Sequence, residues 1–599
     1  RSDHQTRALL AIIQLSGAKN DIRLEEVLRV AEVTHQVIAS LEKKGLVERF
    51  RLEISRIKTY DGDLEGMKTL SKDQRTALDA IERGSRNKPV LLHGVTGSGK
   101  TRIYIEEIKE ALQRGQHVLY LLPEIALTTQ IVVRLQKVFG DQLLVYHSKL
   151  NENERVEVWK KTAGLPHLIL GARSSIFLPF ADLGLIIVDE EHDSSYKQSD
   201  PNPRYQGRDS AIYLARLHEC PIILGSATPS LESYYNAQSG KYTLVEMKQR
   251  YGEIGMPEVA VIDLKKRPTL GYFSRDLLDE IEETHRRGLQ TILFQNRRGF
   301  APIMLCTACG WNAMCKNCDT SLTYHKYNNQ MQCHFCAYHE TPALVCPACG
   351  NHELTLKGFG TELIEDDIGI RLPALKVGRL DLDTARGKKR LYQIIHDFEQ
   401  GKLDVLIGTQ MVTKGLDFEN VGLVGIINAD QLLHYPDFRA TERAFQLMTQ
   451  VSGRAGRRNQ QGRVLIQAYQ VSHPVVKEVI LHDYTTFYRR EIAERRHFGF
   501  PPFSRVIEVT LKHVKAAVVE KAARSLAQYM EHRLGKRVRG PVVPSVSRVR
   551  NKYLQILTIK LEKDAVLIRK TKDWLKEAHA LLVKEKGMST LRFGVNVDP

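Results

Sequence analysis

The chain has 599 residues, 42% hydrophobic and 26% charged, with no Gly/Pro/Ser-rich tract; this excludes a peptide hormone, a disulfide mini-protein and a mainly disordered chain. Lys and Arg total 87 against 70 Asp and Glu, and the net charge of +17 points to a polyanion, either nucleic acid or an acidic membrane surface. The longest apolar run, around Val118 to Val133, is broken by Pro123 and Glu124 and cannot span a bilayer, so no membrane partner is expected.

The chain opens on charged Arg1, Asp3 and Arg7, not on Met or a signal peptide, and reads as a cytoplasmic fragment whose natural start lies upstream. Residues 1–60 are expected to form a winged helix. Apolar residues recur at helical spacing in 5–15, 23–30 and 34–43, and Gly45 with the run Leu46–Phe50 supplies a β-wing. A small helical docking domain is the alternative. The polar stretch from Thr59 to Lys68 reads as a linker.

Short apolar strands then alternate with amphipathic helices. This predicts two parallel-sheet α/β lobes, at 61–270 and 271–470, the second interrupted by a cysteine-rich insertion at 301–355. Expected strands include Val90–His93, Val118–Leu122, Leu185–Val188, Ile222–Leu224, Thr291–Phe294, Val405–Ile407, Leu423–Ile427 and Val464–Gln467. Residues 471–499 read as a charged helical bridge. The tail then predicts strand 505–512, helix 515–533, strands 542–549 and 553–560, helix 563–584 and strand 591–597. That βαββαβ order is ferredoxin-like and makes 471–599 a C-terminal α+β domain.

In the first lobe, Gly94-Val95-Thr96-Gly97-Ser98-Gly99-Lys100-Thr101 fits G-x-x-x-x-G-K-[ST] between a strand and a helix. The glycines let backbone N–H groups curl around phosphate, Lys100 neutralises the β/γ oxygens and the Thr101 hydroxyl ligates Mg²⁺. The expected ligand is ATP with Mg²⁺. Strand Leu185–Val188 runs into Asp189-Glu190-Glu191-His192, where Asp189 would hold Mg²⁺ and Glu190 would orient and deprotonate the attacking water. Late in the second lobe, Gln450-Val451-Ser452-Gly453-Arg454-Ala455-Gly456-Arg457 offers Arg454 and Arg457 as arginine fingers for a γ-phosphate held on the other lobe.

Eight of the nine cysteines form four CxxC pairs: Cys306/Cys309, Cys315/Cys318, Cys333/Cys336 and Cys346/Cys349. Each pair places two thiolates on one turn, so four turns build two closed Cys₄ sites for structural Zn²⁺. Disulfides and an iron–sulfur centre are the alternatives. Glycine follows both Cys309 and Cys349, which favours pairing the first turn with the last and leaving the middle two together; consecutive pairing is the other arrangement. Cys220 reads as an inert buried thiol. From His532 to Leu561 there is no acid, while Arg533, Lys536, Arg537, Arg539, Arg548, Arg550, Lys552 and Lys560 form a basic stretch suited to phosphates.

Together these segments resemble superfamily 2 helicases, whose two lobes are RecA-like. The ordered set is Gln74, GVTGSGKT, Leu122-Pro123-Glu124-Ile125-Ala126-Leu127-Thr128, DEEH, Gly225-Ser226-Ala227-Thr228-Pro229, Gly408-Thr409-Gln410-Met411-Val412-Thr413-Lys414-Gly415 and QVSGRAGR. The DEEH form, Asn296-Arg297-Arg298-Gly299-Phe300 and the eight cysteines resemble the primosomal protein N′ family of replication-restart DNA helicases. That resemblance implies that Gln74 contacts adenine, that Ser226 and Thr228 couple hydrolysis to lobe movement, and that Glu124–Thr128 and the segment with Lys414 meet DNA. It also implies the nested cysteine pairing. The loop after DEEH, with Tyr196, Lys197, Arg204 and Tyr205, resembles the aromatic-rich loop that reports DNA occupancy, and its composition suits stacking on unpaired bases. The implied activity is ATP-dependent 3′→5′ unwinding of stalled or abandoned replication forks, exposing a loading site for the replicative helicase and promoting primosome assembly. The implied partners are forked and single-stranded DNA, the acidic C-terminal tail of single-strand-binding protein, other primosome proteins and the helicase-loading machinery. The resemblance also implies a further N-terminal domain that binds the leading strand's 3′ end, and the expectation is that it lies outside the given sequence. Two rivals are a fork-remodelling ATP-driven translocase that does not separate strands and a non-catalytic DNA-binding assembly scaffold.

Overall fold

The computed structural model describes all residues except 1, 17–21, 23, 50–59, 61, 63, 65–68, 85–87, 125–128, 149, 253–254, 297–302, 307, 310, 318–319, 326–328, 334–337, 358–359, 382–387, 414–415, 417, 434–436, 457–460 and 545. The chain divides into two compact units, Arg1–Lys58 and Thr59–Pro599. The smaller unit holds helices Ser2–Ser16, Leu24–Ala31 and His35–Lys43 around a core of Ala8, Ala11, Val27, Ile38 and Leu41. Of the expected wing, 46–49 contains no strand and Phe50 lies outside the described residues.

In the larger unit, lobe 1 holds strands β1 Val90–Gly94, β2 His117–Leu121, β3 Leu143–Tyr146, β4 Leu168–Gly171, β5 Leu183–Asp189, β6 Ile222–Ser226 and β7 Thr243–Met247. They form one seven-stranded parallel sheet in the order β3-β4-β2-β5-β6-β1-β7. Central β2 and β5 read as near-continuous apolar runs because helices cover both faces of the sheet. Lobe 2 is a six-stranded parallel sheet. Its order is Val377–Leu380, Val405–Gly408, Gln290–Phe294, Val421–Ile426, Arg463–Ala468 and Glu258–Asp263. The last strand corrects the expected boundary at 270. Glu258–Asp263 pairs in parallel with Arg463–Ala468, so the chain has already crossed into the second sheet by residue 258.

The cysteine-rich insertion leaves lobe 2 between Gln290–Phe294 and helix Thr361–Arg371, and it is built from small antiparallel pairings with Cys315, Leu322, Met331 and Cys333 at its centre. Helices Pro474–Ile480 and Tyr484–Phe498 form the bridge. The C-terminal domain is an antiparallel sheet ordered Val538–Val542, Lys552–Glu562, Ser504–His513, Arg592–Val597, backed by helices Ala516–Leu534 and Ala565–Lys584. The expected strand 542–549 is replaced by Val538–Val542 and the two-residue Arg548–Val549. Pro544 cannot donate to a ladder there. Among the described residues no helix is long and apolar enough to cross a membrane.

Candidate ATP site, lobe interface and metal centre

β1 ends at Gly94, and the turn that follows leads into helix Lys100–Gln113. Gly97 and Gly99 adopt φ of +83° and +87°, a region that L side chains rarely occupy. A Cβ on Gly99 would come within 2.3 Å of Gln74 Nε2, and a Cβ on Gly94 within 2.7 Å of Ser98 Oγ, so a side chain at either position would displace Gln74 or Ser98 from the turn. Gln74 is buried against this turn, its Oε1 accepting from the Ser71 N–H at 3.0 Å. Lys100 is half-buried, donates to the Gly94 carbonyl at 2.6 Å and forms no ion pair among the described residues. Burial lowers its pKa, Glu190 and Asp189 oppose that, and Arg454 adds to the lowering. A half-buried ammonium at a helix N-terminus, beside the unpartnered buried Ser98 Oγ, fits the phosphates of a nucleotide.

β5 delivers Asp189 to the same place. Its carboxylate accepts from Tyr104 Oη at 3.0 Å and Tyr120 Oη at 3.3 Å, and burial, followed by the charge of Glu190, pushes its pKa up to about 6. A half-buried carboxylate held by two hydroxyls and close to Lys100 suits a hard divalent cation. Glu190 follows with φ of +49°, a strained conformation for a non-glycine residue and a recurrent mark of a working site. Glu191, one residue on, is wholly buried and points the other way. It accepts from Arg208 at 2.9 Å, the Ser230 N–H at 2.7 Å and the Ser233 hydroxyl at 2.7 Å.

Lobe 2 reaches this cluster through helix Ala440–Ser452. Gln450 Nε2 donates to Glu190 Oε2 at 3.1 Å and contacts His192 Nε2 at 2.9 Å. With Nε2 accepting, His192 carries its proton on Nδ1, 2.7 Å from Ser226 Oγ, which also accepts from the Thr228 N–H at 2.9 Å. Ser226 and Thr228 are therefore joined to Glu190 through His192 and a lobe 2 glutamine. A Cβ on Gly453 would lie 2.7 Å from Thr96 Cβ, which places the end of this helix against the phosphate loop. Arg454 is buried and donates to the Leu416 carbonyl; burial lowers its pKa and the Glu190 charge opposes this. Arg250 donates to the Gly456 and Gly453 carbonyls at 2.8 and 3.0 Å, bracing the turn from outside both motifs. Arg457 and Lys414 lie outside the described residues, as does the segment 125–128.

The loop after DEEH corrects one expectation. Tyr196 is 1% exposed, and its hydroxyl donates to the carbonyls of Asp189 at 2.7 Å and Leu121 at 3.0 Å. With its ring inside lobe 1, it has no face to offer a base. Lys197 and Arg204 reach the C-terminal domain, and Tyr205 packs on lobe 1. Lys197 Nζ donates to the Val597 carbonyl at 2.6 Å, Arg204 lies along the strand with Gly594, and Tyr205 sets its ring against Phe177 at 5.1 Å. A cavity of about 1140 Å³ opens beside it, where both lobes and the C-terminal domain meet, lined by Arg204, Gln410, Arg443 and Arg505 among others.

In the insertion, the Sγ atoms of Cys306, Cys309, Cys346 and Cys349 lie within 4.8 Å of one another, with Cys306 to Cys349 and Cys309 to Cys346 both at 3.6 Å. A tetrahedron with Zn–S near 2.3 Å has edges of roughly 3.8 Å, so this cluster fits zinc, and it joins the first turn to the last. Consecutive pairing is thereby corrected. Cys315 and Cys333 share the module's core, while Cys318 and Cys336 lie outside the described residues. All four turns carry one common hydrogen bond, from the N–H of the first cysteine to a carbonyl five residues on: Cys306 to Trp311, Cys315 to Thr320, Cys333 to Tyr338 and Cys346 to Asn351, at 2.7 to 2.9 Å.

Family comparisons agree with this geometry. Residues 71–237 match the DEAD/DEAH box helicase model and 362–459 the helicase conserved C-terminal domain. Residues 315–340, which contain the inner cysteines, match the PriA DNA helicase Cys-rich region, and 496–599 the primosomal protein N C-terminal domain. The chain is 40% identical over 553 residues to the replication restart protein PriA of Bacillus subtilis, covering 90% of this chain and 69% of that protein. The chain belongs to the PriA family. The PriA of Synechocystis is 38% identical, over 93% of this chain and 68% of its own length, and that of Treponema pallidum 39%, over 85% and 78%. The motif spacing that marks PriA proteins shows Glu191 as part of DEEH but assigns no role to it or to Tyr104, Tyr120 and Arg250, whose contacts arise only on folding. Gln450 was visible as the first residue of QVSGRAGR, but only its hydrogen bonds to Glu190 and His192 give it a role.

Proposed function

We propose that this PriA-family helicase is an ATP-hydrolysing 3′→5′ DNA helicase. It would act at stalled or abandoned replication forks, exposing a loading site for the replicative helicase and promoting primosome assembly. The observation that carries this reading is the hydrogen-bonded path Glu190–Gln450–His192–Ser226–Thr228, which ties a candidate general base in lobe 1 to lobe 2. Lys100 and the N-terminal N–H groups of helix Lys100–Gln113 bind the β/γ oxygens of ATP, and Gln74 meets the adenine side. Asp189 and Thr101 would hold Mg²⁺, which would supply charge neutralisation to the transferring γ-phosphoryl group. Glu190 orients the attacking water and accepts its proton; Arg454 and Arg457 stabilise the charge that spreads during transfer. Through that path hydrolysis at Glu190 would be felt by lobe 2, so that the lobes part and the gripped strand advances.

Two structural Zn²⁺ ions would occupy the outer set Cys306, Cys309, Cys346, Cys349 and the inner set Cys315, Cys318, Cys333, Cys336. The strand order of the C-terminal sheet supports a ferredoxin-like domain, and the three-helix core of 1–58 supports a winged helix; both would bind DNA backbone. The C-terminal domain would also receive the acidic tail of single-strand-binding protein. The PriA relatives, named as replication restart proteins, support the fork and primosome assignment. The 3′→5′ polarity rests on the family resemblance. The test compares ATPase and strand displacement on forked DNA, duplex, single-stranded DNA and RNA, with partial duplexes of either polarity. DNA-stimulated turnover without displacement would replace the helicase by a translocase.

A further inference from the structure

Helix Ala440–Ser452 places Glu442, Gln446 and Gln450 four residues apart on one buried face, and all three bond to lobe 1. Glu442 Oε1 accepts from the Leu231 N–H at 2.9 Å, Gln446 Nε2 donates to the Thr228 carbonyl at 3.4 Å, and Gln450 meets Glu190 and His192. Leu231 opens helix Leu231–Gln238 after the N-cap Ser230, which follows Gly-Ser-Ala-Thr-Pro, so the Glu442 carboxylate sits at the positive end of that helix. Its other oxygen takes Arg495 at 2.5 Å. Arg495, 2% exposed, also donates to Glu232 of lobe 1 at 3.1 Å and so spans both lobes from the bridging helix Tyr484–Phe498. The same bridging helix stacks Phe487 on Phe445 at 4.2 Å and bonds Tyr484 Oη to the Pro229 carbonyl at 2.8 Å. None of these bridging residues belongs to a helicase motif, yet together they fix one helix of lobe 2 on the segment containing Ser226 and Thr228.

We propose that Glu442, held by Arg495, is a positioning residue for ATP hydrolysis: it sets the axial register of helix Ala440–Ser452, and thereby the placement of Gln450 on Glu190 about 12 Å away. The inference rests on the reading of Lys100, Glu190 and Gln450 as the hydrolytic site. The charge matters because Glu442 must satisfy a helix N-terminus and a buried guanidinium at once. An amide satisfies the first and not the second.

The test uses the full chain with forked DNA and measures kcat and KM for ATP, binding of a fluorescent ATP analogue, and the melting midpoint. Glu442→Gln is expected to lower kcat about tenfold with KM and analogue affinity within about twofold. Arg495→Met should act alike, Arg495→Lys should recover most of the rate, and the double variant should lose no more than the worse single, since the two residues act as a unit. Gln446→Ala, a milder change, should lower kcat about threefold and keeps the proposal testable if the charged variants fold poorly. Unchanged kcat, a loss confined to KM, or multiplying losses in the double variant would overturn the proposal. Lys100→Ala run alongside separates the two failures. If it still turns over, the site reading has failed; if it is inactive while Glu442→Gln is normal, only the positioning role has failed.

Discussion

Glu190 and Glu191 are adjacent in sequence and should fail in opposite ways. Glu191 is wholly buried and satisfies Arg208, the Ser230 N–H and the Ser233 hydroxyl, so it ties β5 to the start of helix Leu231–Gln238. Glu191→Ala leaves Arg208 buried with only the outward-facing Asp209 as an ion partner, and strips an acceptor from a backbone N–H. Breaking a buried pair from one side costs about 3 to 5 kcal/mol. At about 2 to 4 °C per kcal/mol for a lobe of this size, the lobe 1 transition should fall by roughly 6 to 20 °C in calorimetry. Residual ATPase measured well below that transition should survive in part, because Glu191 touches neither the phosphate loop nor Gln450. Glu190→Gln should do the reverse, leaving the midpoint nearly unchanged and removing DNA-stimulated hydrolysis. A Glu191→Ala protein that melts within about 1 °C of the parent, or a Glu190→Gln protein with undiminished turnover, would refute the division of labour.

Tyr196→Phe should cost about 1 to 2 kcal/mol by removing the donor shared by the Asp189 and Leu121 carbonyls. Calorimetry should show that loss while single-stranded DNA affinity stays within about twofold; a large drop in affinity would restore the stacking role. Cys349→Ser should lower bound zinc from about two to about one per chain by atomic absorption and impair unwinding more than hydrolysis. Loss of both ions would show that the two sites fold as one. In Glu232, Arg439, Arg495 and Arg208 outweigh the opposing effect of burial, which comes first in size, and hold the carboxyl down at about 2 against its ordinary 4.5. A depressed carboxyl stabilises the fold above its unfolded pKa and loses that contribution as pH falls through the folded value. Stability worth about 3 kcal/mol, present at pH 7, should therefore drain away between about pH 4.5 and pH 2. Glu232→Gln should flatten that part of the acid denaturation curve; an unchanged profile would refute the assignment.

What could be read from sequence follows the range over which each signal acts. The phosphate loop is legible because its strand, glycines, lysine and helix lie within about a dozen residues, and left-handed Gly97 and Gly99 admit few substitutes. The CxxC turns were legible for the same reason, and their nesting was suggested by the glycines after Cys309 and Cys349. Tyr196 was misread because composition reports which rings a loop carries and not which way they turn; the loop is tethered back to Asp189 and forward to Val597. The lobe boundary was misplaced because Glu258–Asp263 gains its parallel partner some two hundred residues later.

Long-range placement also explains why the coupling path had to be found in the fold. His192 next to two carboxylates resembles any polar turn until Gln450 approaches from the other lobe. Gln450 gains meaning only because Glu442, two turns earlier on its helix, is fixed by Arg495 from a third segment. Motifs mark where phosphate and metal contacts must fall. The register between motifs on different lobes is set by residues outside them, where a single buried ion pair can decide whether a candidate base and its partner amide meet.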